Sequence, residues 1–263
     1  MVSIITTVFN GVKYLESCLE SVLTQIYPYI EHVFVDGGST DGTVELLATY
    51  QAKYPDRIMF ISEPDKGAGE AWNKGWRMAK GDIFGWLGAD DVLVPGAIQT
   101  VVEFFGANPD AYFVFGNCNF IDARGEITGR SQTKDFDLKE MINDSNCIPC
   151  PSAFYRRQVV DKVGWADTLG NDREYWIRAG KLFPIHRIEE VLSSFRIHEG
   201  SESTGSSKEI RKLWLREDYL TTRRYGGSIF AGYCRRYYKF LIIEGLRPVL
   251  GFAYPVMKKV LRQ

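Results

Sequence analysis

Short apolar runs alternating with helical patterns predict an α/β fold: a mostly parallel sheet flanked by helices, followed by a helical appendage at the C-terminus. Three observations carry this prediction. Strand-like and helix-like segments take turns through the first hundred residues. The strand-like runs are short and almost continuously apolar, as strands covered on both faces must be. The charge also divides: Gly205 to Gln263 holds 13 Lys and Arg against 4 Asp and Glu, so a formal net charge of −1 leaves about −10 on everything before it.

Taken in order, Val2 to Phe9 reads as a strand, and Val12 to Leu23 as a helix with Val12, Leu15, Leu19, Val22 and Leu23 at helical spacing. His32 to Val35 is a second strand, and Val44 to Ala52 the helix after it. Arg57 to Ile61, Ala68 to Ala79 and Asp82 to Leu87 continue the alternation as strand, helix and strand. A helix at Ala97 to Phe105 and a strand at Ala111 to Phe115 extend it once more. Asp122-Ala123-Arg124-Gly125 then reads as a hairpin turn. Strands are expected over 151–155 and 191–197, with a helix from Asp172 to Lys181 between them. Ser and Gly mark 200–207 as a mobile loop. The remaining residues read as helices broken near Gly226-Gly227 and Pro248.

A chain of 263 residues with 45% hydrophobic and 25% charged residues can bury a substantial core. No apolar run approaches the roughly 20 residues of a membrane-spanning helix. The N-terminus opens on a strand pattern without a basic leader, so a cytoplasmic protein is expected. Five scattered cysteines are expected to remain thiols. Cys147 and Cys150 have CxxC spacing, but no second cysteine pair or histidine pair accompanies them, and chance spacing is the preferred reading.

Ligands of an open parallel sheet sit beyond the carboxyl ends of the strands. Polar and glycine residues gather there in this chain: Asn10 and Gly11; Asp36, Gly37 and Gly38; Glu63, Pro64, Asp65, Lys66 and Gly67; and Asp90 and Asp91. Glycines admit a ligand close to the backbone, a lysine can meet a phosphate, and adjacent carboxylates invite a divalent cation. Each feature alone also suits an ordinary solvated turn. A GxGxxG fingerprint is absent after the first strand, as is a phosphate loop ending in Gly-Lys-Ser/Thr, which argues against dehydrogenases and ATPases.

Four stretches carry a closer resemblance: Ser3-Ile4-Ile5-Thr6-Thr7-Val8-Phe9-Asn10, Val35-Asp36-Gly37-Gly38-Ser39-Thr40-Asp41-Gly42-Thr43, Glu63-Pro64-Asp65-Lys66-Gly67 and Trp86-Leu87-Gly88-Ala89-Asp90-Asp91. In order and interval they resemble the motifs of family 2 glycosyltransferases over about residues 1 to 200. That resemblance implies the Rossmann-like GT-A fold, a nucleotide-sugar donor (usually a UDP-sugar), a divalent metal (Mn²⁺ or Mg²⁺) and inverting transfer of a hexosyl or N-acetylhexosaminyl group. It implies a GT-A domain over 1–204, with a nucleotide-sugar half to about 115 and an acceptor half over 116–204. The basic helical extension is then 205–263. By position, Asp36 resembles the residue that reads the uracil edge, with Thr7, Asn10 and Gly38 shaping the nucleoside pocket. Asp65, Lys66, Asn73 and Lys74 resemble the donor-approaching loop and its continuation. Asp90 and Asp91 resemble the ribose- and metal-contacting DXD acids. Gly88 stands where family members commonly carry Asp or Asn, which leaves open which of Asp90 and Asp91 ligates the metal.

Inverting transfer needs a base for the acceptor hydroxyl. The family places an Asp ahead of a Trp-containing helix, and Asn171-Asp172-Arg173-Glu174-Tyr175-Trp176 matches, so Asp172 is the expected base and Glu174 the fallback. Locally, Asp172 also suits a helix N-cap. Phe195 to Ser203 resembles the closing segment in which His198 faces the donor diphosphate, and Pro151 to Arg157 the acceptor side, with Cys150-Pro151 replacing the usual His or Gln. Aromatic and cationic residues interleave from Tyr225 onward (Phe230, Arg235, Tyr238, Lys239, Phe252, Tyr254, Lys258 and Arg262 among them). This suits peripheral contact with an anionic membrane near a glycan or lipid-linked acceptor, or a packed appendage. Nucleic acid is not an expected partner, and the oligomeric state is not legible. A sugar-nucleotide binding protein without turnover and a nucleotidyltransferase are the competing readings. The latter wants a basic glycine-rich loop where Asn10-Gly11-Val12-Lys13 stands.

Overall fold

The computed structural model describes residues 1–167, 170–201 and 208–250, the last stretch without side chains at 208 and 245–250. The chain divides into two compact units, one of Met1–Phe136 with Cys147–His198 and one of Asp137–Asn146 with Glu199–Gln263.

The first unit is built on one sheet. Its opening strands and helices are β1 (Val2–Val8), α1 (Val12–Leu23), β2 (Ile30–Asp36), α2 (Thr43–Lys53), β3 (Ile58–Ser62), α3 (Ala68–Met78) and β4 (Ile83–Trp86). After them come β5 (Val92–Leu93), α4 (Ala97–Ala107), the hairpin β6 (Phe113–Ile121) and β7 (Ile127–Arg130), β8 (Ala153–Arg156), α6 (Arg157–Val163), α7 (Asp172–Leu182) and β9 (Ile185–Arg196). The second unit takes α5 (Leu138–Asn143), which precedes β8 in sequence, together with α8 (Lys208–Arg224) and α9 (Gly232–Leu250).

Strand order is β3-β2-β1-β4-β8-β6-β9-β5, with β7 beside β6. The strands from β3 to β4 are mutually parallel, as the alternation predicts. Beyond β4 the sheet is mixed: β8 runs antiparallel to both β4 and β6, β5 antiparallel to β9, and β9 parallel to β6. The chain leaves β1 toward β2 and β3, then returns to lay β4 on β1's other side. That reversal opens a crevice between the carboxyl ends of β1 and β4, the usual ligand position in such sheets.

Successive β1 side chains serve opposite faces. Ile4 joins Cys18, Val22, Leu87, Val101, Phe105 and Phe154 under α1 and α4. Ile5 meets α3, where Gly75 admits it so closely that a Cβ would lie 2.4 Å from Ile5 Cγ2. On that second face Trp72, Trp76, Trp86, Tyr155, Tyr175 and Trp176 form an aromatic layer, and Trp76 Nε1 donates to Tyr155 Oη at 3.1 Å. Each buried ring contributes roughly 2–3 kcal/mol by removal from water, so this layer fixes α3 and α7 against the sheet.

Several elements differ from the sequence expectation. β5, α5 and α6 are additional, and β9 begins at Ile185 rather than near 191. α8 and α9 part around Gly226-Gly227 as expected, but α9 continues through Pro248 to Leu250. Residues 202–207 and 251–263 lie outside the described residues. They include most of the Ser- and Gly-rich stretch and the tail residues Phe252, Tyr254, Lys258, Lys259 and Arg262. Among the described residues no helix is long and apolar enough to cross a membrane.

Candidate active site

The loops after β1 and β2 are laced together. Asn10 adopts a left-handed φ of 51°, alone among the described non-glycine residues; its N–H donates to Ser39 Oγ at 2.7 Å and its Oδ1 accepts from Thr40 N at 2.9 Å. Asp36 is fully buried at the end of β2. Its Oδ2 accepts from Gly38 N, Ser39 N and Ser62 Oγ at 3.0, 2.9 and 2.6 Å, and its Oδ1 accepts from Ser39 Oγ. The carboxylate thereby shapes the turn in which Gly38 takes a φ of +88°. Thr7 is half-buried in β1, opposite Val35.

Beside this turn a Cβ on Gly37 would lie 3.0 Å from Asp65 Oδ2 and 3.5 Å from the ring of Phe9, which is 67% exposed. An aromatic ring left in solvent at a strand end, next to open backbone, is a stacking surface for a planar ligand. The sequence reading passed over Phe9 because an aromatic residue continuing an apolar run looks like core. Asp65 Oδ1 caps Gly67 N at 2.8 Å, and Lys66 is exposed. Asn73 and Lys74 are engaged with the protein: Asn73 exchanges two hydrogen bonds with the backbone of Ala166 at 3.1 and 3.0 Å, and Lys74 Nζ pairs with Glu63 and Glu70 at 2.8 and 3.4 Å.

Asp90 and Asp91 follow β4 in a turn closed by Asp91 N on Gly88 O at 3.1 Å. Asp91 is buried and accepts from Arg196 N at 2.8 Å. Burial first, and then the Asp90 charge, push its carboxyl well above the usual carboxylate range. Asp90 is more open, and its Oδ2 meets His198 Nε2 at 3.0 Å. A Cβ on Gly88 would lie 2.7 Å from Asp91 Oδ2 and 2.9 Å from Asp90 Oδ1, so one oxygen from each carboxylate converges on the space this glycine leaves open. Two hard oxygens of like charge, one of them desolvated, suit a divalent cation such as Mn²⁺ or Mg²⁺. No group of three or more His, Cys, Asp or Glu side chains is assembled for a metal among the described residues. The fit therefore rests on this pair.

Asp172 opens α7, but capping there falls to Asn171, whose Oδ1 accepts from Glu174 N at 3.2 Å. Glu174 is buried and paired with Arg178 at 3.0 Å, which commits the fallback base to the helix. Asp172 is half-buried, and its Oδ1 accepts from Arg173 N at 2.6 Å. Burial, then the charges of Asp172 and Asp91, push the Cys150 thiol well up. Arg196 is a further buried residue that motif reading did not mark.

Comparison with known proteins identifies the family and the fold. Residues 3–164, more than half of the chain, match the family model described as glycosyl transferase family 2. An uncharacterized glycosyltransferase of Nostoc is 34% identical over 75% of this chain and 65% of its own length. Chondroitin synthase of Escherichia coli is 26% identical over 83% of this chain and 31% of its own. The chain thus spans less than two thirds of these relatives. Among solved structures, S. aureus TarS 1–349 in complex with UDP-GlcNAc superposes with a TM-score of 0.66 at 18% identity, covering 95% of this chain and 73% of that one. The mannosyltransferase PcManGT of Pyrobaculum calidifontis, in complex with GDP-Man and Mn²⁺, gives 0.61 at 18% identity, over 99% and 84%. At such identity the likeness speaks to the fold, which is the GT-A fold expected from the sequence.

Proposed function

The chain belongs to glycosyl transferase family 2, and from that membership we propose that it moves a hexosyl or N-acetylhexosaminyl group, with inversion, from a UDP-sugar to a hydroxyl of a glycan or lipid-linked glycan. The observation that carries the reading is the convergence of Asp90 Oδ1 and Asp91 Oδ2 over Gly88. The solved neighbours hold UDP-GlcNAc, or GDP-Man with Mn²⁺, which supports a nucleotide-sugar donor and a divalent metal here.

In this reading the base stacks on Phe9, the nucleoside lies against Gly37, Gly38 and Thr7 over the scaffold set by Asn10 and Asp36, and Asp65 and Lys66 approach the donor. Lys74 and Asn73 support that loop through Glu63 and Ala166. Asp90 and Asp91 would hold the metal, with His198 orienting Asp90, and the bound ion supplies charge that offsets the departing diphosphate. Asp172 takes the proton of the acceptor hydroxyl as that oxygen attacks the anomeric carbon opposite the leaving group. The acceptor half and a glycan acceptor belong to the same proposal, as does peripheral contact of α9 with an anionic membrane.

Asp172→Asn tests the core of this reading. The amide keeps the shape and removes the base, so transfer is expected to fall about 10²–10⁴-fold with UDP binding retained. An Asp172→Asn enzyme with full turnover overturns the assignment. A wild-type chain that binds UDP-sugars and transfers nothing to any glycan or water favours the non-catalytic binding protein.

A further inference from the structure

Arg196 ends β9 and is 5% exposed, a poor place for a cation unless its donors are used. Nε donates to Asp90 O at 2.7 Å, Nη1 to Asp122 O at 3.2 Å and Nη2 to Ser17 Oγ at 3.3 Å, while its backbone N–H donates to Asp91 Oδ1 at 2.8 Å. The guanidinium lies 4.8 Å from the ring centre of Tyr14, and the ring of His198 lies 4.6 Å from that same tyrosine. One residue therefore reaches α1, the turn after β4 and the hairpin after β6 at once.

These contacts bear on the acidic pair in a specific way. The turn Gly88–Asp91 is held from the α1 side by Cys18 Sγ on Gly88 O at 3.4 Å. The Arg196 side chain holds its other end at the carbonyl of Asp90, while the backbone N–H of the same residue holds Asp91 Oδ1. Between these two anchors, Asp90 Oδ1 is aimed at the same space as Asp91 Oδ2. Without the Arg196 guanidinium the Asp90 carbonyl loses its donor, and the Asp90 carboxylate would relax away from Asp91, which the backbone N–H of residue 196 still holds.

We propose that Arg196 is a positioning residue for this pair, holding Asp90 and Asp91 so that both face a single divalent cation, without touching donor or acceptor. The proposal rests on the metal-dependent reading above. Second-layer partners of metal ligands are worth about 10–100-fold in affinity, which sets the expected effect.

The test is titration of the whole chain with Mn²⁺ alone, reading unbound Mn²⁺ by electron paramagnetic resonance, for wild type, Arg196→Met, Arg196→Lys and Val101→Ala. Val101 is fully buried on the inner face of α4 and serves as a destabilised control. Arg196→Met is expected to bind Mn²⁺ about 10–100-fold more weakly. Arg196→Lys, which keeps one donor, is expected to fall between it and wild type, and Val101→Ala to bind as wild type does. In transfer assays, excess Mn²⁺ is expected to restore kcat of the Arg196 variants. Wild-type affinity in Arg196→Lys or Arg196→Met overturns the proposal, as does an equal loss in Val101→Ala. If Arg196→Met does not fold, Arg196→Lys alone decides. Absence of Mn²⁺ binding by wild type overturns the metal reading itself, a separate result.

Discussion

At the scale of single residues, Gly88 and His32 lead to measurable consequences. Gly88 is needed for space: a methyl group there would press on Asp91 Oδ2 and Asp90 Oδ1 at 2.7 and 2.9 Å, and on Asp91 Cγ at 3.2 Å. Gly88→Ala is therefore expected to spread the pair and weaken Mn²⁺ binding about 10–100-fold, seen in the same titration. Unchanged affinity would mean that the carboxylates swing freely and that their convergence is incidental. His32 concerns pH. It is 1% exposed, with Nε2 2.9 Å from Thr6 Oγ1, and burial, followed by the charge of Arg57, lowers its pKa from 6.5 to about 3. The unfolded chain then binds a proton that the folded chain refuses between pH 6.5 and about 3. This contribution to stability is intact above that window and is lost as pH falls through it, by about 1.4 kcal/mol per pH unit. Urea unfolding across the window should show a shallower pH slope in His32→Gln than in wild type; equal slopes would refute it. The sequence exposed acids and glycines at strand ends because residue type alone carries their chemistry. It hid Arg196, whose role comes from three distant carbonyl and hydroxyl partners, and it hid Phe9, whose exposure no periodicity encodes.

At the scale of elements, what is local was legible and what is paired at a distance was not. α1 spans Val12–Leu23 as its apolar spacing predicts, and β1, α3 and β4 fall within a residue or so of expectation. The two-residue β5 is too short to leave a periodic signal, and it exists only through its pairing with β9. The antiparallel run of β8 against β4 likewise follows from where the chain re-enters the sheet. The contact of α3 with the loop before α7 belongs to the same class. A Cβ on Gly69 would lie 1.5 Å from Asp167 O and 2.8 Å from Gly170 N, so the first turn of α3 sits directly against the segment that leads into Asp172. Asn73, one turn on, grips Ala166 in that segment. Gly69→Ala is thus expected to destabilise the fold by about 1–3 kcal/mol in urea unfolding. It is also expected to lower kcat more than donor KM, because it displaces the approach to the base rather than the nucleoside loops. A variant with wild-type stability and turnover would show that this contact yields without consequence.

For the molecule as a whole, the net charge of −1 conceals the surplus of cations from Gly205 onward, and charge acts on a surface only where it is displayed. Within the second unit, α8 and α9 join through Tyr219 on Tyr237 and Tyr238, with ring centres 5.3 and 5.6 Å apart. The part of α9 turned to solvent includes Arg235, Arg236 and Lys239 together with Tyr238, Leu241 and Ile242, the last 59% exposed. Positions 235, 238, 239 and 242 form one helical stripe, so cations and apolar side chains share the outward face. A soluble surface would separate apolar groups from water, whereas a bilayer interface accommodates both kinds at once. Each cation near an anionic surface contributes about 1 kcal/mol and is screened within a Debye length of about 8 Å at physiological salt. The chain is therefore expected to sediment with phosphatidylserine-containing vesicles, to leave neutral ones unbound, and to release as salt rises. Replacing Leu241 and Ile242 together by Ser removes exposed apolar area from on and beside the stripe at constant charge, which should weaken partitioning by about tenfold or more at about 25 cal/mol per Å². Equal binding to neutral vesicles would reject the electrostatic half of the argument. Unaltered binding by the double variant would reject the apolar half, and concentration-dependent dimerisation lost in that variant would assign the stripe to a second copy of the chain instead.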